Sequence, residues 1–369
     1  MKKLTANIIA ALCLVSCGSN NSDLSEKEAL LQDVNTQFVS ETVIPTYKGL
    51  ADEAFLLVED LEALEENMSD AKVVEACNHW KSARQYWEWS EAFLFGAASK
   101  YNIDPHIDTW PLDSVMLQTQ LNDSVVMNNL DKYVESWNNG LVGFHGIEFI
   151  LFRNGEERKA ADITAYELKY AIAVANDLLL NVCKLEAAWA GIENIDARKA
   201  ELLTENEMEP EDNFGEQMRL CGQPGSVWKS VSLGTDNIFE GILAIADEVA
   251  NMKIGSPYSG QDINYIESPH SYNSIQDFYD NIISIRNVYY GGLGKQQADN
   301  KSLSSVVAKI DKDLDANVQQ AIAEALDAID AMPRPFVLNY TKPEVATAIN
   351  AINHLFDIMT EAQTAVAEY

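Results

Sequence analysis

The chain has 369 residues, 47% of them hydrophobic, with seven Trp and fourteen Tyr, which is enough material for a sizeable core or for two domains. Acidic residues number 57 against 26 basic ones, a formal net charge of −31 that repels phosphate backbones and argues nucleic acid out of the partner list. Five cysteines in a chain of this length exclude a disulfide scaffold.

The first seventeen residues, MKKLTANIIAALCLVSC, carry Lys2 and Lys3, a short apolar stretch, and a small residue before a cysteine. That is the pattern of a secretory leader, too short to persist as a membrane span. Leu14-Val15-Ser16-Cys17 resembles the bacterial lipobox, so cleavage before Cys17 and lipidation of its thiol are expected, with residues 18–23 as a polar tether. Each acyl methylene buried in a bilayer contributes roughly 0.8 kcal/mol. The mature protein is therefore expected in the cell envelope, lipid-anchored on the extracytoplasmic side (periplasm or outer membrane). Loss of the two leader lysines moves its formal charge from −31 to −33.

From residue 24 the chain reads as all-α. Helical periodicity covers 24–67, where Pro45 is expected to break or kink it. A second helix is expected over 70–95, ending at Gly96. Residues 97–123 form a long loop centred on YNIDPHIDTWPLD, a length more often functional than idle. Helical patterns resume at 124–137, 141–153 and 163–190, separated by Asn138-Asn139-Gly140 and Arg153-Asn154-Gly155. An acidic, weakly patterned linker (201–225) divides an N-terminal helical domain (24–200) from a C-terminal one (226–369). The latter offers four helices, at 226–253, 272–290, 302–331 and 343–368, the ingredients of a four-helix bundle. No alternating run of β-branched residues competes with this assignment. Cys77 and Cys183 fall in apolar helical patterns and are expected as buried thiols.

Some charges lie on stripes that should be buried. At about 100° per residue, Val73, Cys77, Trp80, Arg84, Trp87, Glu91 and Phe95 share one helix face. Arg84 and Glu91 then need partners from other elements, because an unpaired buried charge costs several kcal/mol. Either an ion-pair network or a ligand site satisfies that need. Over 272–290, Ile275, Phe278, Tyr279, Ile282, Arg286 and Tyr289 align, so Arg286 is also expected to point inward. A site shared between the two halves accounts for both stripes.

GFHGIEFILF (143–152) poses the question most sharply. Projected as a helix, Leu141, Phe144, His145, Glu148 and Phe152 share a face, with Gly143, Gly146 and Ile150 on the other. Two glycines in one short helix cost about 1 kcal/mol each against alanine, and close approach of a neighbouring helix would justify them. His145 and Glu148 stand at i, i+3, the geometry from which helical bundles build metal sites, and equally that of a buried His–Glu hydrogen bond.

These residues resemble the GxHxxE motif of the imelysin family, the insulin-cleaving membrane protease-like proteins whose relatives include periplasmic components of iron uptake. ARQYWEWSEAFLFG (83–96) is similar to the family's Arg- and Glu-bearing helix, IDTWPLD (107–113) to its Trp-Pro loop, and ESPHSYNSIQDFYDNIISIRNVYYGG (267–292) to a later segment. The resemblance implies an all-helical, two-domain envelope protein with a metal-linked site between its halves, often tied to iron acquisition. By motif, His145 and Glu148 are its implied metal ligands, Glu91 a third, and Asp108 a further one from the loop. Arg84, Arg286, Glu267 and Ser268 become second-rank groups that hold ligands or bind an anion.

The family also carries a metallopeptidase label. HExxH, in which two imidazoles one turn apart hold zinc, is absent: Gly146 follows His145, and position 149 is Phe149. One histidine with several carboxylates is a hard donor set that suits iron, manganese or calcium as well as zinc. The reading favoured is binding of a divalent metal, iron first, or of an iron complex, together with envelope iron-transport proteins. Peptidase activity and a metal-free docking bundle are the alternatives.

Overall fold

The computed structural model describes residues 24–369. The leader, Cys17 and the tether lie outside the described residues. The first helices are α1 (Glu26–Gln37), α2 (Ile44–Glu66) and α3 (Asp70–Glu88), followed by α4 (Gly143–Leu151) and α5 (Ala165–Ala190). The later ones are α6 (Val231–Asp247), α7 (Ser274–Tyr290), α8 (Leu303–Ile310), α9 (Lys312–Asp330) and α10 (Pro343–Glu368). Between them run short helical turns, and the sole strands among the described residues are a two-residue antiparallel pair turned by Asn154-Gly155. The fold is all-α. No described helix is long and apolar enough to cross a membrane.

Pro45 does not break the first helical stretch. A π-helical segment, Phe38–Val43, joins α1 to α2, so the wider turn accommodates the residue that cannot donate. The Glu41 carbonyl, which an ordinary residue 45 would have used, accepts instead from the Leu293 N–H at 2.7 Å. The second expected helix is shorter than 70–95. It ends at Glu88, where Ser90 turns its hydroxyl onto the Trp87 carbonyl at 2.7 Å, and a 3-10 turn (Glu91–Phe93) follows. The pattern at 302–331 divides at Asp311, whose side chain caps α9 through the N–H groups of Asp313 and Leu314. Residues 124–137 form three short turns rather than one helix, and 97–123 carries two more and an eight-residue helix, Ser114–Leu121.

In the first half, α2 packs on α3 and α5, and α4 closes the group against the same two helices. In the second, α6, α7, α9 and α10 pack in a ring. The halves meet where α7 lies on α3 and α1 lies on α6, and their buried apolar side chains belong to one contiguous core. Within the expected linker, Phe214–Arg219 is helical and buries Phe214 against Trp189, ring centroids 5.9 Å apart. Cys77, Cys183 and Cys221 are all buried free thiols.

Candidate functional site

The seam between α3, α4 and α7 holds a buried charge cluster. Arg84 projects from α3 between Trp80 and Trp87 and has no exposed surface. Its guanidinium pairs with Asp108, with Glu267 at 2.6 Å and with Glu88, one turn along the same helix, at 2.5 Å. Its Nε lies 3.6 Å from Asp277 of α7. Lys253 ends the π-helical extension of α6 (Glu248–Lys253) and reaches Glu267 at 3.1 Å and Glu88 at 3.6 Å. A planar guanidinium fork bridging several carboxylates is what Arg supplies and Lys cannot.

α4 is locked into this seam by its glycines. Gly143 opens the helix at φ +72°, and a side chain there would overlap the Ile107 carbonyl. Gly146 is covered by Tyr170 of α5, whose hydroxyl donates to the Leu141 carbonyl at 2.6 Å. The neighbouring helix expected from the sequence is therefore present. The helix has no open face, however: all nine of its residues are buried.

His145 and Glu148 leave α4 side by side. His145 Nδ1 lies 3.3 Å from Glu148 Oε2. Its Nε2 stands 3.1 Å from Asp108 Oδ1, off the line of an aligned hydrogen bond. Glu148 Oε1 is saturated: it accepts from the backbone N–H groups of His270 at 2.9 Å and Ser271 at 2.7 Å, and from the Ser271 hydroxyl at 2.8 Å. Asp108 also accepts from Trp87 Nε1 at 2.7 Å. A cavity of about 250 Å³ reaches His145 and Glu148 between Trp110 and Leu112 on one side and Ile266 and His270 on the other. A larger groove of about 750 Å³ runs along α5 and shares no lining residue with the cluster.

Burial and pairing set opposite protonation states within a few ångströms. Burial disfavours a charge on His145, but its pairing with the Asp108 and Glu148 carboxylates outweighs that and raises its pKa to about 9. Burial likewise works against ionised Glu148, yet His145 and the Ser271 N–H hold it below the usual carboxylate range. Asp108 stays ionised beside Arg84 despite its burial. Desolvation dominates at Glu88, which is pushed well up, and at Asp277, pushed to about 7. Five buried carboxylates (Glu88, Asp108, Glu148, Glu267, Asp277) thus face Arg84, Lys253 and the His145 imidazolium, and protons make up the deficit of positive charge.

Desolvation also raises Asp280, one turn further along α7, to about 6 although Gln276 and Trp89 donate to it. The folded state then holds a proton that the unfolded chain releases near its ordinary value of 3.8. Stability from this group is present below that value and is lost as pH rises through about 6. Asp280→Asn removes the penalty. It is expected to stabilise the protein by about 1–3 kcal/mol at pH 8 and to bring no gain at pH 4, measured by denaturant melts of both proteins. An equal effect at the two pH values would refute the assignment.

Of the residues singled out in the sequence, His145, Glu148, Asp108, Glu91, Arg84, Glu267 and Ser268 come together here. Ser268 is fully buried at φ +47°, and its hydroxyl has no partner. Arg286 is not brought in. It lies nine positions past Asp277, half a turn round α7 from the cluster, and pairs with no carboxylate among the described residues. Glu91 reaches the site from the 3-10 turn rather than from the helix stripe. His106 is engaged elsewhere, 2.7 Å from Asp177. Sequence reasoning missed Glu88, Lys253 and Asp277. Glu88 was signalled by its i+4 spacing from Arg84, and Asp277 by Asn281 and Ser284, which continue a polar stripe on α7. Lys253 gave no signal.

Two triads of donor atoms, each lying mutually within 4.8 Å, are formed: His145 with Asp108 and Glu267, and Glu88 with Glu91 and Asp108.

An all-helical fold with a charged seam between helix groups, one histidine among carboxylates, defines the class. The imelysin family profile matches residues 43–361, and the chain belongs to the imelysin family. It is similar to iron-regulated protein A of Synechococcus elongatus, 26% identical over 350 residues that span 94% of this chain and 86% of that one. Among solved structures it is similar to an iron-regulated protein A precursor from Parabacteroides distasonis, with a TM-score of 0.81 at 26% identity over 93% of this chain and 97% of the other. An imelysin-like protein from Psychrobacter arcticum shares the fold, with a TM-score of 0.61 at 14% identity over 93% and 94% of the two chains.

Proposed function

We propose that this protein is a lipid-anchored envelope protein that binds a divalent cation, iron first, in the course of iron acquisition. The observation that carries the reading is the His145–Asp108–Glu267 triad, in which His145 Nε2 and Glu267 Oε2 are buried without a hydrogen-bond partner. One imidazole nitrogen and two carboxylate oxygens suit iron or manganese, with zinc and calcium as competitors. A dication would take the place of the protons that balance the cluster's excess of carboxylates. Iron also enters the names of the Synechococcus and Parabacteroides relatives.

Glu148 takes a different part from the one its motif implies. With four donors already on it, it orients rather than ligates. It holds Nδ1–H of His145, so that the Nε2 lone pair is the one presented when a cation displaces the imidazolium proton. It also ties the 268–271 segment to α4, joining the two sequence halves at the site. Arg84 and Lys253 fix Glu267 and Glu88 and keep the seam closed to water. A bound metal would supply charge, or polarise a ligand, at this point.

Calorimetry of the purified mature protein with Fe(II) under anaerobic conditions tests this. His145→Ala is expected to weaken binding at least 100-fold, and unchanged binding would end the reading. The anchor has its own check: Cys17→Ser is expected to abolish incorporation of labelled fatty acid and release the protein from the membrane fraction. Retained label would place the lipid elsewhere.

A further inference from the structure

Glu91 is the anomaly of the cluster. It is 7% exposed, yet its carboxylate makes no hydrogen bond and no ion pair among the described residues. The carboxylates of the Arg84 cluster beside it are partnered: Glu88 by Arg84 and Asn281, Asp108 by Arg84 and Trp87, Glu267 by Arg84 and Lys253. An oxygen of Glu91 nevertheless stands within 4.8 Å of oxygens of both Glu88 and Asp108. Burial and its acidic neighbours push the Glu91 carboxyl well above the usual carboxylate range, so the three groups stand together by holding protons that a cation can replace. Lys253 offsets part of this electrostatically, but its ammonium is bonded toward Glu267 and Glu88 and forms no ion pair with Glu91.

Two further carboxylates bear on the same place. Asp104, from the short helix before Asp108, and Glu248, from the π-helical extension of α6, are half-buried and likewise take no hydrogen bond or ion pair among the described residues. Both act electrostatically on Glu91. Acidic side chains from three separate elements thus converge on the side of Asp108 where Glu91 stands. The cavity that reaches His145 and Glu148 is lined by neither Glu88 nor Glu91.

We propose a second cation site, built from oxygen alone, in which Glu88, Glu91 and Asp108 bind a hard divalent cation of the calcium or manganese type, with Asp104 and Glu248 forming its acidic mouth. Oxygen-only donor sets select such ions over zinc, and carboxylates of one or two oxygens each leave the rest of the coordination to water. Asp108 belongs to both triads, so the two sites share one ligand and occupancy of one bears on the other. The proposal goes beyond the iron reading and does not depend on it, because neither Glu88 nor Glu91 contributes to the His145 triad.

Terbium(III), a luminescent stand-in for calcium, is the probe. Trp87 donates to Asp108 itself and is placed to sensitise the emission. The mature protein titrated with terbium and excited through tryptophan is expected to show emission that calcium competes away. Glu91→Gln is expected to weaken terbium binding at least 10-fold and, since Glu91 makes no hydrogen bond or ion pair among the described residues, to leave the circular dichroism unchanged and the melting temperature no lower. Glu248→Gln is expected to weaken it about 3-fold. His145→Ala is expected to retain terbium binding while losing Fe(II). Terbium bound equally well by Glu91→Gln would overturn the second site. Loss of terbium in His145→Ala would also overturn it, by placing both ions in one site.

Discussion

Arg84→Met is expected to leave no cooperatively folded protein at pH 8 and 37 °C. The side chain is fully buried and joins Asp108, Glu267 and Glu88 while facing Asp277. Removing one partner of a single buried pair costs about 3–5 kcal/mol, because the other charge stays behind without water. Here four carboxylates are left with only Lys253 and the His145 imidazolium beside them, so the loss is expected above about 5 kcal/mol, on the scale of the whole stability of an ordinary domain. The sign with pH follows. Without the guanidinium the carboxyl groups bind protons more tightly in the folded state than in the unfolded one, so the variant recovers as pH falls toward 5 and loses stability as pH rises. Arg84→Lys keeps one charge but not the fork, and an intermediate loss of about 2–3 kcal/mol is expected. Thermal melts at pH 5 and pH 8 decide the matter. A variant that melts within a few degrees of wild type at pH 8 would show that the cluster is held by something other than Arg84.

That cluster also marks where the sequence could be read and where it could not. Trp80, Arg84 and Trp87 on one stripe located the buried charge, and the paired glycines of α4 announced the close approach that Ile107 and Tyr170 make. Both signals are local, carried by spacing within a single helix. The partners are not local. Glu267 lies 183 positions from Arg84, in a segment without regular structure, and Lys253 follows an unremarkable stretch at the end of a helix. α7 is buried on nearly every side, so no single apolar stripe singles out its inward charge, and Arg286 was chosen where Asp277 faces the site. Glu88 was passed over because Glu91 continued the ideal stripe; the helix ends first, at a serine that competes for a carbonyl. Helix ends, π-turns and tertiary pairing decide these points, and periodicity carries none of them.

Glu148→Gln is expected to separate orientation from ligation at the motif. The substitution is nearly isosteric, and the three donors from His270 and Ser271 fix the new amide oxygen where Oε1 now stands. The amide NH₂ must then face His145 Nδ1, where a carboxylate oxygen now lies at 3.3 Å. It donates, so Nδ1 becomes the acceptor and the imidazole proton moves to Nε2, toward Asp108. The lone pair proposed to meet the cation is gone, although no first-contact group has changed. Fe(II) affinity is therefore expected to fall about 10–100-fold, the usual cost of losing an orienting partner. The melting temperature should drop by only a few degrees, because the hydrogen bonds that tie 268–271 to α4 survive. Glu148→Ala, which orphans those donors, is expected to lose several kcal/mol of stability. Calorimetry beside thermal melts reads the two effects apart. Wild-type affinity in Glu148→Gln would mean that the tautomer does not matter, and a loss as complete as that of His145→Ala would make Glu148 a ligand in its own right.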